Sequence, residues 1–316
     1  MTTTELKSRP RLPEWLRIKL PTSDSYAQTR NLLGELKLHT VCESAQCPNH
    51  WECWEKGTAT FMIAGDRCTR ACGFCAVSTA KPLALETDEP MRVAEATRRM
   101  RLRHVVITAV ARDDLKDGGA EHFRQTIEAV RKLNPGIVIE VLVPDFNESD
   151  SSVENVLSAN PNIFNHNLET VRRLTPSVRH RATYERSLAV LRKAKEWSAA
   201  VPSRSRHESS ARCGWGQPRS EDGRMFTKSG IMLGLGEMEA EVLTAMADLR
   251  DVNCDILTLG QYLQPTLKHL PVIEFVSPEK FAEYKVRAGK MGFVHVASGP
   301  MVRSSYHADE FNAPAV

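Results

Sequence analysis

Short apolar runs recur along this chain, separated by stretches whose apolar residues repeat at helical spacing. The runs TFMIAG (60–65), VVITAV (105–110), IVIEVLV (137–143), NIFNHN (162–167), GIMLG (230–234) and DILTLG (255–260) are short, β-branched and apolar, and they predict six strands. Between them Phe123, Ile127 and Val130 recur at i, i+4, i+7, as do Tyr184, Leu188 and Leu191, and later Val242, Met246 and Leu249. Each set forms one stripe of a helix and predicts burial of that stripe. Strand and helix in regular alternation predict parallel βα units, closed or partly closed into a TIM-like barrel of α/β class, with chemistry at the C-terminal ends of the strands.

One segment breaks the pattern. SRSRHESSARCGWGQPRSEDGRMF, residues 203–226, is rich in Ser, Arg and Gly and carries no apolar period. At about 24 residues it is far longer than the roughly 2 to 6 residues that usually join such elements. Two readings stand: a surface insertion, or the translation of non-coding or frame-shifted DNA. Cys213 within it reads as an incidental thiol.

Composition narrows the class. With 316 residues, 41% hydrophobic and 26% charged, the chain has the makeup of a globular protein. No run of about 18 apolar residues appears and the N-terminus has no apolar signal core, so neither a membrane span nor secretion is expected, and the expected location is the cytoplasm. The first twenty residues carry Lys7, Arg9, Arg11, Arg17 and Lys19, but Pro10, Pro13, Glu5 and Glu14 favour a basic arm over a transit peptide. A net charge of +3 with interspersed signs gives no argument for nucleic acid as a partner.

The eight cysteines carry the chemistry. Cys42, Cys47, Cys53, Cys68, Cys72 and Cys75 bunch together, while Cys213 and Cys254 stand apart. A secreted disulfide scaffold would be short and would spread its cysteines along the chain, so the bunching indicates metal or cluster binding in a reducing compartment. CTRACGFC supplies three thiols in eight residues just past the first strand, at the mouth of the expected barrel. A four-iron cube wants four soft ligands, and a loop offering three leaves one iron free for another molecule. The competing reading is zinc with a fourth ligand from His50 or Cys254; paired, separated ligands are its usual pattern, and this triplet lacks them.

CTRACGFC resembles the CxxxCxxC loop of the radical S-adenosylmethionine superfamily. The resemblance implies a partial (βα)6 TIM-like barrel of the radical SAM type. It also implies that Cys68, Cys72 and Cys75 hold three irons of a 4Fe-4S cluster while S-adenosyl-L-methionine chelates the fourth. Reduction of that cluster, by an electron donor, would cleave the sulfonium and release a 5′-deoxyadenosyl radical. Phe74 matches the aromatic position beside the adenine. Asn165, Asn167 and Glu169, just after the fourth strand, are placed to contact the cosubstrate, or equally to cap the following helix.

A second triplet, Cys42, Cys47 and Cys53 in VCESAQCPNHWECW, and RSSYH at 303–307 together resemble the lipoyl synthase family. The likeness continues through RDDLKDGGA (112–120), FNHNLETV (164–171), GIMLGLGE (230–237), LTLGQYLQP (257–265) and HVASGPMVRSSYH (295–307). It implies a second, auxiliary 4Fe-4S cluster held by Cys42, Cys47, Cys53 and the hydroxyl of Ser305, which donates sulfur. The implied reaction puts two sulfurs into C6 and C8 of a protein-bound octanoyl-lysine. The implied substrates are octanoylated carrier domains of 2-oxoacid dehydrogenase complexes and the glycine cleavage H protein. Breaking an unactivated C–H bond is beyond any side-chain base, so a radical cofactor has to supply the reactivity.

The expected organisation is an N-terminal extension over 1–53, a core barrel over 54–294 and a C-terminal segment over 295–316. The glycines of DGGA (117–120) and GLGE (234–237) admit two readings, tight strand-to-helix turns or close backbone approach to the cosubstrate. Arg303 is expected either to position the terminal segment or to bind substrate, and Cys254 to be a small buried residue. Two alternatives differ in class. One is a radical enzyme of methylthiotransferase or biotin-forming type, and the other is a non-catalytic iron–sulfur or zinc protein.

Overall fold

The computed structural model describes residues 11–17, 24–47, 49–55, 60–200 and 225–305. One sheet organises it. At its edge β1 (His39–Thr40) pairs antiparallel with β2 (Thr60–Ile63). Six more strands follow in chain order, all parallel: β3 (His104–Ala109), β4 (Val138–Leu142), β5 (Ile163–Asn165), β6 (Phe226–Leu233), β7 (Ile256–Gln261) and β8 (His295–Ser298). Before the barrel lie α1 (Asp24–Glu35), α2 (Val41–Ser44) and α3 (His50–Glu55). The crossovers are α4 (Glu89–Arg99), α5 (Ala120–Leu133), α6 (Asp150–Ser158), α7 (Tyr184–Ala200), α8 (Glu239–Asp251) and α9 (Pro278–Lys290). Six strand–helix units and a last strand thus make a partial barrel.

All six expected strands are present, and the three helical stripes are buried: Phe123, Ile127 and Val130 on α5, Tyr184, Leu188 and Leu191 on α7, Val242, Met246 and Leu249 on α8. Removing that apolar area from water holds the helices to the sheet, at about 25 cal/mol per Å². Helix starts are specified locally. Asp117 accepts the backbone N–H groups of Gly119 and Glu121 at the head of α5, and Ser277 Oγ accepts that of Lys280 at the head of α9, where Pro278 occupies the first turn.

Two boundaries differ from the sequence expectation. Strand β6 begins at Phe226, four residues before GIMLG, because neighbouring groups satisfy the polar side chains of Thr227 and Lys228. Thr227 donates to Asp255 (3.0 Å) and Lys228 Nζ lies 2.9 and 3.1 Å from the buried carboxylate of Glu140. Met225 and Phe226 therefore belong to the barrel, while 201–224, including Cys213, lie outside the described residues. The flanking described ends, Ala200 closing α7 and Phe226 opening β6, are both at the N-terminal end of the barrel, away from the cysteines. The second difference is β8: His295–Ser298 was expected in the terminal segment, yet it pairs with β7 from His295↔Ile256 to Ser298↔Leu259. Its polar pattern conceals a strand that only the neighbour's free edge recruits.

The sheet does not close, since β1 and β8 are its two ends. The chain's own C-terminal segment crosses that seam. Gly299 N–H donates to Leu259 O, Met301 O accepts from Asn49 Nδ2 at 2.6 Å, Ser304 Oγ accepts from Asn167 Nδ2 at 2.6 Å, and Thr60 Oγ1 donates to Ser305 Oγ at 2.7 Å. The crossing needs Gly260 in β7: a Cβ there would stand 2.0 Å from Val302 O. Tyr306 and His307 of RSSYH lie outside the described residues. Among the described residues no helix is long and apolar enough to cross a membrane.

Gly260→Ala is expected to keep the helix content of the barrel while lifting residues 299–305 from the seam. Tryptic cleavage at Arg303 should accelerate about tenfold or more, with a loss of about 1–3 kcal/mol in global stability from overpacking. Wild-type protection at Arg303 would contradict the seam contact.

Candidate active site

The CxxxCxxC loop leaves β2 through a turn held from both sides. Ala64 adopts a left-handed φ of 65°, its N–H donates to Glu89 Oε2 at 2.8 Å, and its carbonyl accepts from Arg112 Nη1 at 2.9 Å. Such a backbone costs about 1–3 kcal/mol and persists because its surroundings over-determine it. Thr69 then hydrogen-bonds Ala111 O through both its N–H and its hydroxyl. Inside the loop, Arg70 turns into the barrel. Its guanidinium forks onto Asp113 (2.9 and 2.8 Å) and reaches Asp145 (2.7 Å) and Asn147 Oδ1 (2.7 Å). Asp113 follows β3 and Asp145 follows β4, so two βα loops grip the cysteine loop. Burial would raise the Asp145 pKa, but the hydrogen bond and charge of Arg70 prevail and hold it at about 2. Gly73 fills the remaining space: its N–H donates to Val178 O, its carbonyl accepts from Leu270 N–H, and a Cβ would meet Leu270 Cγ at 2.9 Å.

These contacts leave the three thiols at the mouth. Cys68 Sγ accepts from Arg70 N–H (3.4 Å) and Cys72 Sγ from His180 N–H (3.3 Å), while Cys75 O accepts from His269 Nε2 (3.0 Å). Burial raises the Cys72 pKa and pushes that of Cys75 up to about 12. Thiols held this way ionise when an electron-poor metal takes the sulfur, and backbone N–H donors already aimed at two sulfurs suit cluster ligation. The donor set fits an iron–sulfur cube.

The side chains a zinc reading would recruit as a fourth ligand have other neighbours. His50 Nδ1 is engaged with Cys47 O at 2.7 Å, and Cys254 is fully buried, its thiol directed at Ile256 O and Thr227 O. Among the described residues no three His, Cys, Asp or Glu side chains gather closely enough to hold one metal ion.

The cosubstrate candidates separate. Asn167 and Glu169 face the mouth: Asn167 Nδ2 donates to Glu169 Oε1 (3.1 Å) and to Ser304 Oγ, while Asn167 Oδ1 is buried with no hydrogen-bond partner. An orphaned acceptor inside a cavity fits a polar ligand. Burial raises the Glu169 pKa against the nearby charge of Arg179 and the Asn167 bond. Asn165 does not line that cavity: its Nδ2 donates to Glu140 Oε1 at 3.0 Å, its Oδ1 is also buried without a partner, and against the effect of burial Lys228 and His104 keep Glu140 well below the usual carboxylate range. Phe74 packs beside Val178, Leu235 and Tyr262 at the mouth. Two of the motif glycines have a scaffold reason: Gly119 (φ 90°) opens α5, and a Cβ on Gly234 (φ 103°) would meet Gln261 Nε2 at 2.2 Å and Glu274 O at 2.4 Å.

The second triplet lies along the seam. Cys42 sits on α2, whose start is capped by Thr40 Oγ1; Cys47 follows it, and Cys53 lies on α3 beside the buried Trp54, which stacks on Tyr26. Burial pushes the Cys42 thiol up to about 11 and raises that of Cys47 against the nearby charge of Arg303. Arg303 folds back on its own segment, donating to Val302 O at 2.7 Å. A cavity of about 450 Å³ joins the regions. Its lining includes Cys42, Cys47, Cys53 and Ser305 on one side, Phe74, Cys75, Asn167 and Glu169 on the other, and apolar wall from Val106, Leu142 and Ile231. The donors of the second triplet and Ser305 therefore share one space, as a cluster requires. Sequence reasoning missed Arg70, Asp113, Asp145 and Thr60; RDDL after a strand was a visible signal, whereas Asp145 and Thr60 carried none.

Comparison with known proteins follows the same lines. The Radical SAM superfamily profile matches residues 62–197, and the profile for the N-terminal domain of lipoyl synthase of the Radical_SAM family matches residues 2–47. Lipoyl synthase of Shouchella clausii is 53% identical over 307 residues, 97% of this chain and 92% of the relative. That of Flavobacterium johnsoniae is 48% identical, covering 95% and 96% respectively. Among solved structures, methylornithine synthase superposes with a TM-score of 0.53 at 12% identity over 87% of this chain and 82% of that one. SuiB of Streptococcus suis bound to S-adenosylmethionine gives 0.54 at 10% identity over 79% and 53%. At such identities the structural likeness speaks for the fold alone.

Removing one partner of the buried Arg70 network is expected to be costly, about 3–5 kcal/mol for Arg70→Met. Asp145 has a depressed folded pKa, so its contribution of about 2–3 kcal/mol is present above pH ~4 and lost as pH falls toward 2. Acid titration of the cluster-free chain by circular dichroism checks this: Asp145→Asn should lower neutral stability and flatten the acid limb. An unchanged acid limb would show that the network does not act this way.

Proposed function

The chain belongs to the lipoyl synthase family of radical S-adenosylmethionine enzymes, and on that premise we propose how its residues divide the work of putting two sulfur atoms into C6 and C8 of a protein-bound octanoyl-lysine. One cavity carries the reading: the second cysteine triplet, Ser305, Asn167, Glu169 and, from the CxxxCxxC loop, Cys75 open onto one space. The radical chemistry and the sulfur come from two 4Fe-4S clusters and S-adenosyl-L-methionine when these are bound.

Cys68, Cys72 and Cys75 hold the first cluster in this proposal, and Cys42, Cys47, Cys53 and Ser305 the second. Support for the first set is its position at the mouth, with N–H donors on two of the sulfurs. For the second it is the common lining and the hydrogen bond that brings Ser305 to Thr60. Phe74, Asn167 and Glu169 receive the cosubstrate, the orphaned Asn167 Oδ1 being the strongest pointer. Asn165 acts through Glu140 as a positioning residue. The apolar wall of Val106, Leu142 and Ile231 suits an eight-carbon chain, each buried methylene contributing about 0.8 kcal/mol. A hard serine oxygen is a weaker iron ligand than a thiolate, which suits a corner that must be given up when sulfur leaves.

The substrates in this proposal are octanoylated carrier domains of 2-oxoacid dehydrogenase complexes and the glycine cleavage H protein, with a separate electron donor. A cytoplasmic setting suits two cysteine triplets that have to ligate iron in the reduced state. As units, the N-terminal extension covers 1–53 and the core follows from 54; with β8 in the sheet the core extends through Ser298.

After anaerobic reconstitution the wild type should carry about eight iron per chain, two cubes' worth, and the Cys42/Cys47/Cys53→Ala variant about four. That variant should still cleave S-adenosylmethionine but make no sulfur-bearing product from an octanoyl-lysine peptide. Wild-type product from it would refute the assignment of the sulfur source. Ser305→Cys should retain iron while product formation falls by an order of magnitude or more; full activity would remove the reason for an oxygen ligand.

A further inference from the structure

Thr60 lines the cavity that Cys42, Cys47, Cys53 and Ser305 share. It opens β2, is 4% exposed, and is registered against Val106 of β3. Its hydroxyl donates to Ser305 Oγ at 2.7 Å, and it shares the cavity wall with Cys42. A threonine in a strand is stiff at χ1, so this hydroxyl is held by the sheet itself. Ser305 has no such support of its own: it ends the described part of a segment without regular structure, attached upstream through Asn49–Met301 and Asn167–Ser304.

We propose that Thr60 is the positioning residue for the oxygen corner of the auxiliary cluster. The inference rests on the reading that Ser305 is the fourth ligand there. By donating to one lone pair of Ser305 Oγ, Thr60 leaves the remaining ones directed to the cavity that Cys42, Cys47 and Cys53 line. It also keeps the serine beside the site when its oxygen is not on iron, so the ligand can return without the terminal segment reordering. Partners behind a metal ligand typically change metal affinity by about 10–100-fold when removed. The hydroxyl at position 60 thus has a task that β-propensity alone would not require, since valine would serve the strand equally.

The test compares full-length, anaerobically reconstituted wild type, Thr60→Val, Thr60→Ser and Ser305→Ala. Mössbauer spectra read the distinct oxygen-ligated iron, about one in eight, and a chelator reads the rate of iron loss. Circular dichroism checks that each variant folds. Thr60→Val is expected to lose the oxygen-ligated signal in most molecules and to release auxiliary iron about 10-fold faster or more, with the iron on Cys68, Cys72 and Cys75 unaffected. Thr60→Ser, which keeps the hydroxyl, should restore both. If Ser305→Ala abolishes the signal but Thr60→Val matches wild type, Thr60 is idle and the proposal falls while the ligand assignment stands. If Ser305→Ala itself matches wild type, the serine is no ligand, and both fall together.

Discussion

An open seam governs this molecule. Parallel strands joined by helical crossovers curl toward a barrel, but here the two end strands of the sheet, β1 and β8, do not meet. An unpaired edge of buried strands is costly, and natural sheets cover such edges. This chain covers the opening with its own two ends: the cysteine-bearing stretch around α2 and α3 from one side, Gly299–Ser305 from the other. The same constraint that seals the barrel therefore brings Ser305 to the second cysteine triplet across 245 residues of sequence. Sealing and site construction are one event, and Gly260 is the small residue that allows it.

At the mouth the organising force is electrostatic rather than apolar. Arg70 is nearly buried, and an isolated guanidinium there would be prohibitively desolvated. Asp113, Asp145 and Asn147 answer its donors, and those partners arrive from two separate βα loops. Such pairs add modestly to stability when measured against apolar replacements, but they demand one geometry. For a loop proposed to set three sulfurs against the corners of a rigid cube, that demand is useful. The left-handed turn at Ala64, held by Glu89 and Arg112, serves the same end one step earlier in the chain.

Inside the barrel, polar and apolar surfaces divide the cavity by role. Asn167 and Glu169 present hydrogen-bonding groups near the cysteine loop, whereas Val106, Leu142 and Ile231 offer a wall with nothing to bind but hydrocarbon. The Glu140–Lys228–Asn165 network lies beneath, with the Glu140 carboxylate held by Lys228 Nζ and Asn165 Nδ2. An enzyme that has to hold an unactivated chain between a radical source and a sulfur source needs this division: polar anchors for the cosubstrate and a chain channel without competing donors.

The sequence by itself determined the elements and the chemistry. Short apolar runs and a period of 3.6 located six strands and three buried stripes, because burial leaves its mark locally; CxxxCxxC announced a three-thiol loop, because residues so close in sequence stay close in space. Tertiary structure decided what depends on distant partners. Strand β8 exists because β7 offered an edge, and β6 begins at Phe226 because Asp255 and Glu140 satisfy Thr227 and Lys228. Asn165 and Asn167, two residues apart, would share one face of a continuous strand, but β5 ends at Asn165, so Asn167 lies past it and takes Glu169 and Ser304 as partners while Asn165 takes Glu140. Ser305 was visible only through family resemblance, and Thr60 not at all, since a hydrogen bond between residues at opposite ends of a chain has no local signature.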